Sequence, residues 1–289
     1  MKWPKWSGKR LRSISNAKVG KEQDMILLSI LMSVYNAEAT LAASLDSVLA
    51  QTYRDFELII CDDASTDASW EIISEYCARD HRIIAFQNNH NCGLGASLNC
   101  CFKRAKGIYI ARQDADDISA PERLERTLQY LQKNSLPYVG CGVYVFDDTG
   151  IWSRRIFPER ITKHTIAKKN PFFHPTMIFK REMFESAGGY RVTEVTRRTE
   201  DYDLVMRLAG MGIIGRNLQE FLYYVYEPPE AYLRHTPGTR LAEVRVRLFG
   251  LKQMKSPFWD YIFLIKPLLL LFVPRKALHF LKCVQWKNA

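Results

Sequence analysis

Residues 107–117, GIYIARQDADD, constrain this chain more than any other stretch. The first half is β-branched and aromatic, the composition of a strand, and it runs straight into three carboxylates. Acidic residues are poorly tolerated inside strands, so the strand ends near Gln113. Asp114 and Asp116 then fall on the loop beyond its carboxyl end. Spaced by two, they point the same way if the backbone stays extended. Neighbouring carboxylates repel unless something positive lies between them, and a divalent cation carrying phosphate oxygens meets that need. Taken alone, an Asp-x-Asp more often marks an acidic turn ahead of a helix, here with Asp117 or Ser119 as N-cap and Pro121 in the first turn.

The stretches around it set a regular beat. Residues 25–34 are apolar almost without a break, as in a strand buried on both faces. Tyr35-Asn36-Ala37 ends that run, and Leu41, Leu45, Val48 and Leu49 give helical spacing over 40–51. A second buried strand, 56–61, stops at Asp62-Asp63-Ala64-Ser65. A helix opened by Thr66 or Asp67 runs through Trp70, Ile73 and Tyr76, then come a strand at 82–86 and helices at 94–105 and 121–133. This alternation predicts an α/β fold of βαβ units, Rossmann-like, with a mainly parallel sheet flanked by helices. Further on the beat loosens. A strand is expected at 138–146, a turn at 147–150, a short strand at 175–179, a helix at 182–187 and a turn at Gly188-Gly189. The segment 200–210 reads as a helix capped by Thr199, with acids in its first turn and Gly210 and Gly212 at its end.

The 289 residues suffice for one large domain or two small ones. The net charge of +10 asks for an acidic partner, and its excess is mostly terminal. Residues 1–24 form a basic tail punctuated by Trp3 and Trp6. Residues 256–286 alternate short apolar runs with Lys266-Pro267 and Pro274-Arg275-Lys276. Each run is too short to span a bilayer, and the basic and aromatic residues suit a segment lying in an anionic headgroup layer. The bland alternative is a C-terminal helix packed on the domain. The seven cysteines form no CxxC pair, so zinc and redox motifs have no support, and a reducing compartment is expected. No secretory leader is read at the N-terminus. The basic residues form no aromatic-interleaved groove, so nucleic acid is not the expected partner.

In an open parallel sheet, ligands bind beyond the carboxyl ends of the strands. Three of the interruptions fall there: 33–38, Asp62-Asp63, and Asp114 with Asp116. An aromatic can stack on a base, a carboxylate can accept from a uracil ring N–H, and the Asp-x-Asp pair can hold a metal on a diphosphate. That set describes a nucleoside diphosphate attached to something. A dinucleotide fingerprint is not present, because residues 93–98 lack the third glycine.

The same residues carry a resemblance. SILMSVYN at 29–36, FELIICDDAS at 56–65, NCG at 91–93, DADD at 114–117 and TED at 199–201 appear in the order found in family 2 glycosyltransferases, over about residues 25–215. The chain most resembles the bacterial branch that builds surface polysaccharide, including lipopolysaccharide O-antigen and capsule. The resemblance implies a GT-A fold, a UDP-sugar donor, Mg²⁺ or Mn²⁺, and inversion at the anomeric carbon. It places Tyr35 and Ser33 against the nucleotide, Asp63 on the uracil N–H, Asp116 on the metal, and Asp114 on ribose or metal. Asp201 is the implied general base, with Glu200 and Asp203 as its nearest competitors. Membrane-surface attachment through residues 256–286 would fit a lipid-linked saccharide acceptor and a cytoplasmic, peripheral position on the inner face of the cell membrane. Residues 25–117 would be the nucleotide half, 118–225 the acceptor-side half and 226–289 a membrane-surface extension. Ser33-Val34 replaces a common proline-containing run, no Gln-x-x-Arg-Trp motif occurs, and Arg234-His235 is only a weak donor-loop match. Non-processive transfer is therefore expected. The competing readings are a basic nucleic-acid-binding protein and an inactive scaffold of the same fold.

Overall fold

The computed structural model describes residues 28–228, 231 and 236–270. The basic tail, Arg234, His235 and residues beyond 270 lie outside the described residues.

Strands β1 (Leu28–Val34), β2 (Phe56–Asp62), β3 (Ile83–Gln87) and β4 (Tyr109–Arg112) pair in parallel in the order β3-β2-β1-β4. Helices α1 (Leu41–Leu49), α2 (Ser69–Arg79) and α3 (Leu94–Arg104) connect them. The unbroken apolar runs of β1 and β2 follow from burial on both faces. Leu28, Ile30 and Met32 meet the α1 side of the core, while Leu31, Ile59 and Cys61 meet Leu98 and Cys101 of α3.

The expectation of a mainly parallel sheet holds for this half alone. Strand β5 (Ile118–Ser119) precedes α4 (Arg123–Lys133), and β6 (Tyr138–Asp147) turns tightly into β7 (Gly150–Arg155). Then come α5 (Lys163–Lys168), β8 (Ile178–Lys180), α6 (Arg181–Ser186), α7 (Glu200–Gly210) and β9 (Arg216–Tyr226). Strand β8 bridges β4 to β6 by antiparallel pairs, β9 runs parallel to β6, and β5 and β7 add antiparallel edges. Among the described residues the result is one nine-stranded mixed sheet. Antiparallel neighbours need no helical crossover, which is why the strand–helix beat fades after residue 137.

Several local expectations are corrected. Neither Asp117 nor Ser119 caps α4: the Asp117 carboxylate accepts from the Tyr226 N–H at 2.8 Å, and Ser119 belongs to β5. Helix α2 opens at Ser69, because Asp67 accepts from the N–H groups of Glu38 and Ser69, both at 3.0 Å. The strand expected at 175–179 is a 3-10 turn, His174–Thr176, followed by β8. Thr199 sits at the N-cap of α7, but its hydroxyl donates back to the Thr196 carbonyl at 3.2 Å. The Gly188-Gly189 turn is present, with φ of +70° and +68°. A side chain at Gly189 would also meet Asn99 Oδ1 at 2.7 Å.

Helix α8 (Pro237–Gln253) packs across α7 through a close approach. A Cβ on Gly250 would lie 2.3 Å from Met206 Sδ and 2.8 Å from Met206 Cβ. Gly250→Leu is therefore expected to destabilise the fold by about 1–3 kcal/mol through overpacking. Urea unfolding reads this as a lower midpoint at unchanged slope. An unmoved midpoint would show that the two helices have room to spare.

Candidate active site

Three loops follow β1, β2 and β4 at the same end of the sheet. The first two are stapled together. Thr66 N–H donates to Asn36 Oδ1 at 2.9 Å, Asn36 N–H to Ser65 Oγ at 3.0 Å, and Ala68 N–H to Glu38 Oε2 at 3.0 Å. Asn36 takes the left-handed φ of +49° that its short polar side chain tolerates. The staple leaves Tyr35 at the rim, 51% exposed.

Asp63 is buried, and its carboxylate organises a fourth loop. Oδ1 accepts from Asn88 Nδ2 and Cys92 N–H, and Oδ2 from Gly93 N–H, each at 2.8 Å. A carboxylate has about four acceptor positions, so roughly one remains for a ligand donor.

After β4 the backbone turns instead of staying extended, with Asp117 N–H donating to Asp114 O at 3.4 Å. The turn brings a third carboxylate into the set. One oxygen-ligand atom each from Asp114, Asp116 and Asp117 lies within 4.8 Å of the others. Burial, then the charges of Asp116 and Asp114, push Asp117 well above the usual carboxylate range. Such a crowd of hard oxygen donors fits Mg²⁺ or Mn²⁺, whose charge would relieve it.

Buried arginines brace this turn, and sequence reasoning missed them. Arg112 Nη1 donates to Asp114 Oδ1 at 2.5 Å and to Gln113 O at 2.9 Å. Burial opposes the charge of Arg112, but Asp114, with Tyr190 and Tyr223, more than compensates and raises its pKa. Arg123 Nη1 donates to Arg112 O at 3.1 Å and Pro175 O at 3.2 Å, tying α4 to the strand end. Gln113 Nε2 donates to Asp117 O at 3.0 Å. A signal was available: Arg112 is two residues from Ile110 in a strand, so it shares that residue's core-facing side.

The start of α7 supplies the remaining acids. Asp203 is buried in ion pairs with Arg207 at 2.7 Å and Arg191 at 3.5 Å, so it serves structure. Asp201 is half-buried, and its Oδ2 accepts from Asn170 Nδ2 at 2.8 Å. Burial raises its pKa, against hydrogen bonds that favour the charged form. Glu200 is raised by burial and then by Asp201. His174 is a satisfied loop histidine, with Nε2 2.7 Å from Tyr190 Oη.

Ser33, Tyr35, Asp63, Asp114 and Asp116 line one cleft of about 910 Å³, and Glu200 lines it too. Asp201 is not among the lining residues but is Glu200's chain neighbour. Residues as far apart in the sequence as Ser33 and Glu200 thus share one cavity. Residues 29–188 match the family model described as Glycosyl transferase family 2. The chain belongs to that family.

The glycosyltransferase is 41% identical over 254 residues to EpsE of Bacillus subtilis (strain 168), covering 87% of this chain and 91% of that one. It is 33% identical over 196 residues to WfaP of Escherichia coli, a UDP-Glc:alpha-D-GlcNAc-diphosphoundecaprenol beta-1,3-glucosyltransferase, covering 67% and 74% of the two chains. The mannosyltransferase PcManGT from Pyrobaculum calidifontis, solved with GDP-Man and Mn2+, superposes with a TM-score of 0.59 at 16% identity. That match covers 90% of this chain and 83% of the other. The likeness shows the GT-A fold, now with a mixed sheet. This enzyme is a glycosyltransferase with relatives in polysaccharide and O-antigen biosynthesis, and the nucleic-acid-binding reading is not favoured.

Proposed function

We propose that this glycosyltransferase moves a sugar from a UDP-sugar to a hydroxyl of a lipid-linked saccharide, with inversion, at the inner face of the cell membrane. The observation that carries this reading is the convergence of Tyr35, Asp63, Asp114 and Asp116 on one cleft with the start of α7. Tyr35 stacks on the base, with Ser33 beside it, and Asp63 accepts from the uracil ring N–H. Asp116 holds Mg²⁺ or Mn²⁺ with Asp114, whose other tie is to Arg112. The bound cation supplies Lewis-acid neutralisation of the diphosphate. Asp201, oriented by Asn170, takes the proton of the acceptor hydroxyl as that oxygen attacks the anomeric carbon from the face opposite the diphosphate. Its raised pKa makes it a better proton acceptor than an ordinary carboxylate. Residues 25–117 carry the nucleotide and 118–225 the acceptor side in this reading.

Thermal unfolding tests it. UDP with Mn²⁺ at a hundredfold excess over Kd is expected to stabilise the enzyme by about 2.7 kcal/mol, a rise of several degrees. GDP with Mn²⁺, NADH and DNA are expected to give little. Stabilisation by GDP but not UDP would overturn the donor assignment.

The membrane reading rests on residues 256–270. Among the described residues, no helix is long and apolar enough to cross a membrane. The segment packs Tyr261, Phe263 and Leu264 on the core, as the bland alternative requires. It also exposes Phe258 (80%), Trp259 (59%), Ile262 (61%) and Leu269 (61%), with Lys255 and Lys266 exposed alongside. An apolar stripe edged by lysines suits an anionic lipid surface, each Lys adding about 1 kcal/mol. Trp259→Glu with Ile262→Glu is expected to cut sedimentation with phosphatidylglycerol vesicles at least several-fold. Unchanged sedimentation would remove this segment from the membrane contact.

A further inference from the structure

Helix α5 is short and stops abruptly. Lys169 is extended, and Pro171 follows two residues later. Proline has no N–H, so the Ala167 carbonyl loses its helical donor. Phe172 N–H, the donor that would serve Lys168, meets Asn170 Oδ1 instead, at 3.2 Å. Carbonyls left over at a helix end need partners from elsewhere. Two side chains supply them. Tyr202 Oη donates to Ile166 O at 2.5 Å and to Ala167 O at 3.3 Å. Arg247 Nη1 of α8 donates to Lys168 O at 2.7 Å and to Ala167 O at 3.4 Å.

Two residues beyond that helix end stands Asn170, whose Nδ2 donates to Asp201 Oδ2 at 2.8 Å. The bond from Phe172 N–H to the amide oxygen keeps the amide from turning over. On the far side, Asn217 Nδ2 of β9 donates to Pro171 O at 3.0 Å. The backbone of Asn170 is therefore held from behind by β9 and from ahead by Tyr202 and Arg247. Arg247 meets the other partner of the hydrogen bond as well. Its guanidinium carbon lies 5.3 Å from the ring centre of Tyr202, the residue next to Asp201 on α7. Arg247 is buried, and Glu243 Oε1 fixes its fork through Nη2 at 2.6 Å and Nε at 3.2 Å. A guanidinium, whose donors lie in one rigid plane, can grip a carboxylate on one edge and a helix end on the other.

We propose that Arg247 is a positioning residue for sugar transfer: by closing the end of α5 it sets Asn170, and through Asn170 the carboxylate of Asp201. This rests on the reading of Asp201 as the base. It makes α8, which lies beyond the residues 29–188 that match the family, part of the catalytic apparatus. The segment Phe258–Leu264 joins the same assembly. His164 Nδ1, near the start of α5, is 2.6 Å from Asp260 Oδ1, and Arg247 Nη1 donates to Phe263 O at 3.4 Å. The exposed stripe proposed to meet lipid is thus fastened to the supports of the base at both ends of α5.

The test reads the hold on Asp201 directly and needs no acceptor. In the full chain, aspartate carboxyl carbons are labelled with ¹³C, and the Asp201 signal, identified by its absence from Asp201→Asn, is followed against pH. Asp201 is faced by Glu200 of its own helix, Arg112 from the end of β4 and Tyr190 from the loop before α7, and the test leaves all three in place. Asn170→Ala removes a donor that favours the charged carboxylate, so Asp201 is expected to hold its proton about tenfold more tightly. Arg247→Met is expected to tighten it in the same direction by at least about threefold. In the Asn170→Ala background the same substitution is expected to add less than about twofold, because the link it acts through is gone. Tyr202→Phe keeps the ring and removes the other donor to the helix end. It is expected to shift the titration in the same direction, again only while Asn170 is present, and it decides the question if Arg247→Met does not fold. An Asp201 titration that these variants leave unmoved, or move equally with and without Asn170, would overturn the inference and make Arg247 a support of the fold or a distant charge. The base reading fails separately: Asp201→Asn turning over at the wild-type rate would remove the base while leaving the measured hold intact.

Discussion

Asp201→Asn is expected to lower turnover by about 10²–10⁴-fold, the usual worth of a positioned general base, while affinity for UDP with Mn²⁺ stays near wild type. The amide can still accept from Asn170 Nδ2, so the local structure survives and the proton acceptor does not. Glu200→Gln is the control. Glu200 lines the same cleft, so a larger loss there than at Asp201 would transfer the role of base to Glu200. Heat stability gives a second readout with a definite sign. Burial raises the pKa of Asp201 in the folded chain, so the native state holds that proton more tightly than the unfolded one. Stability therefore falls as pH rises from the unfolded carboxyl value through the raised native value, and the charged form remains costly above it. Asp201→Asn removes this cost. The variant should melt higher than wild type at neutral pH, and the gain should vanish below about pH 4. A base that is expensive to keep charged is the usual trade of stability for activity.

Asp116→Ala carries the second large effect. Loss of an outer-shell partner of a metal typically costs 10–100-fold in affinity, and loss of a direct ligand should cost at least about 100-fold. Calorimetry with UDP and Mn²⁺ is expected to show that loss, while UDP without metal should bind both proteins equally weakly. Asp117→Asn is expected to behave differently. Asp117 is buried, its carboxylate accepts from the Tyr226 N–H, and its charge is already disfavoured by burial and by its two neighbours. Removing that charge should change nucleotide affinity less than Asp116→Ala does. Equal losses at both positions would make Asp117 a ligand of the same rank.

The two central strands were legible because they are buried on both faces, which forces uninterrupted apolar runs ending where polar loops begin. The cleft was legible for the same reason. An acid at the end of such a run, as at Asp63 or Asp114, has nowhere to go but the ligand-binding edge. The edges of the sheet were not legible. Strand β5 is two residues long and exists only because Ile118 and Ser119 pair with Tyr224 and Tyr223. No local pattern encodes a partner about a hundred residues away. Strand β9 could have been found, since the run from Phe221 to Tyr226 is aromatic and aliphatic throughout. The anchoring of residues 88–93 by Asp63, beside the ligand contact proposed for it, depends on hydrogen bonds that residue type alone does not disclose. The same holds for Arg112 and Arg123. A charged residue in an apolar stretch looks like an interruption until its carboxylate and carbonyl partners are seen around it.

Crystals grown with UDP and Mn²⁺, measured at a wavelength where manganese scatters anomalously, test the central claim most directly. One anomalous peak is expected within coordination distance of Asp116, with the diphosphate on it, the uracil against Tyr35 and its ring N–H toward Asp63. A manganese peak away from Asp114 and Asp116, or a nucleotide bound outside this cleft, would contradict the account.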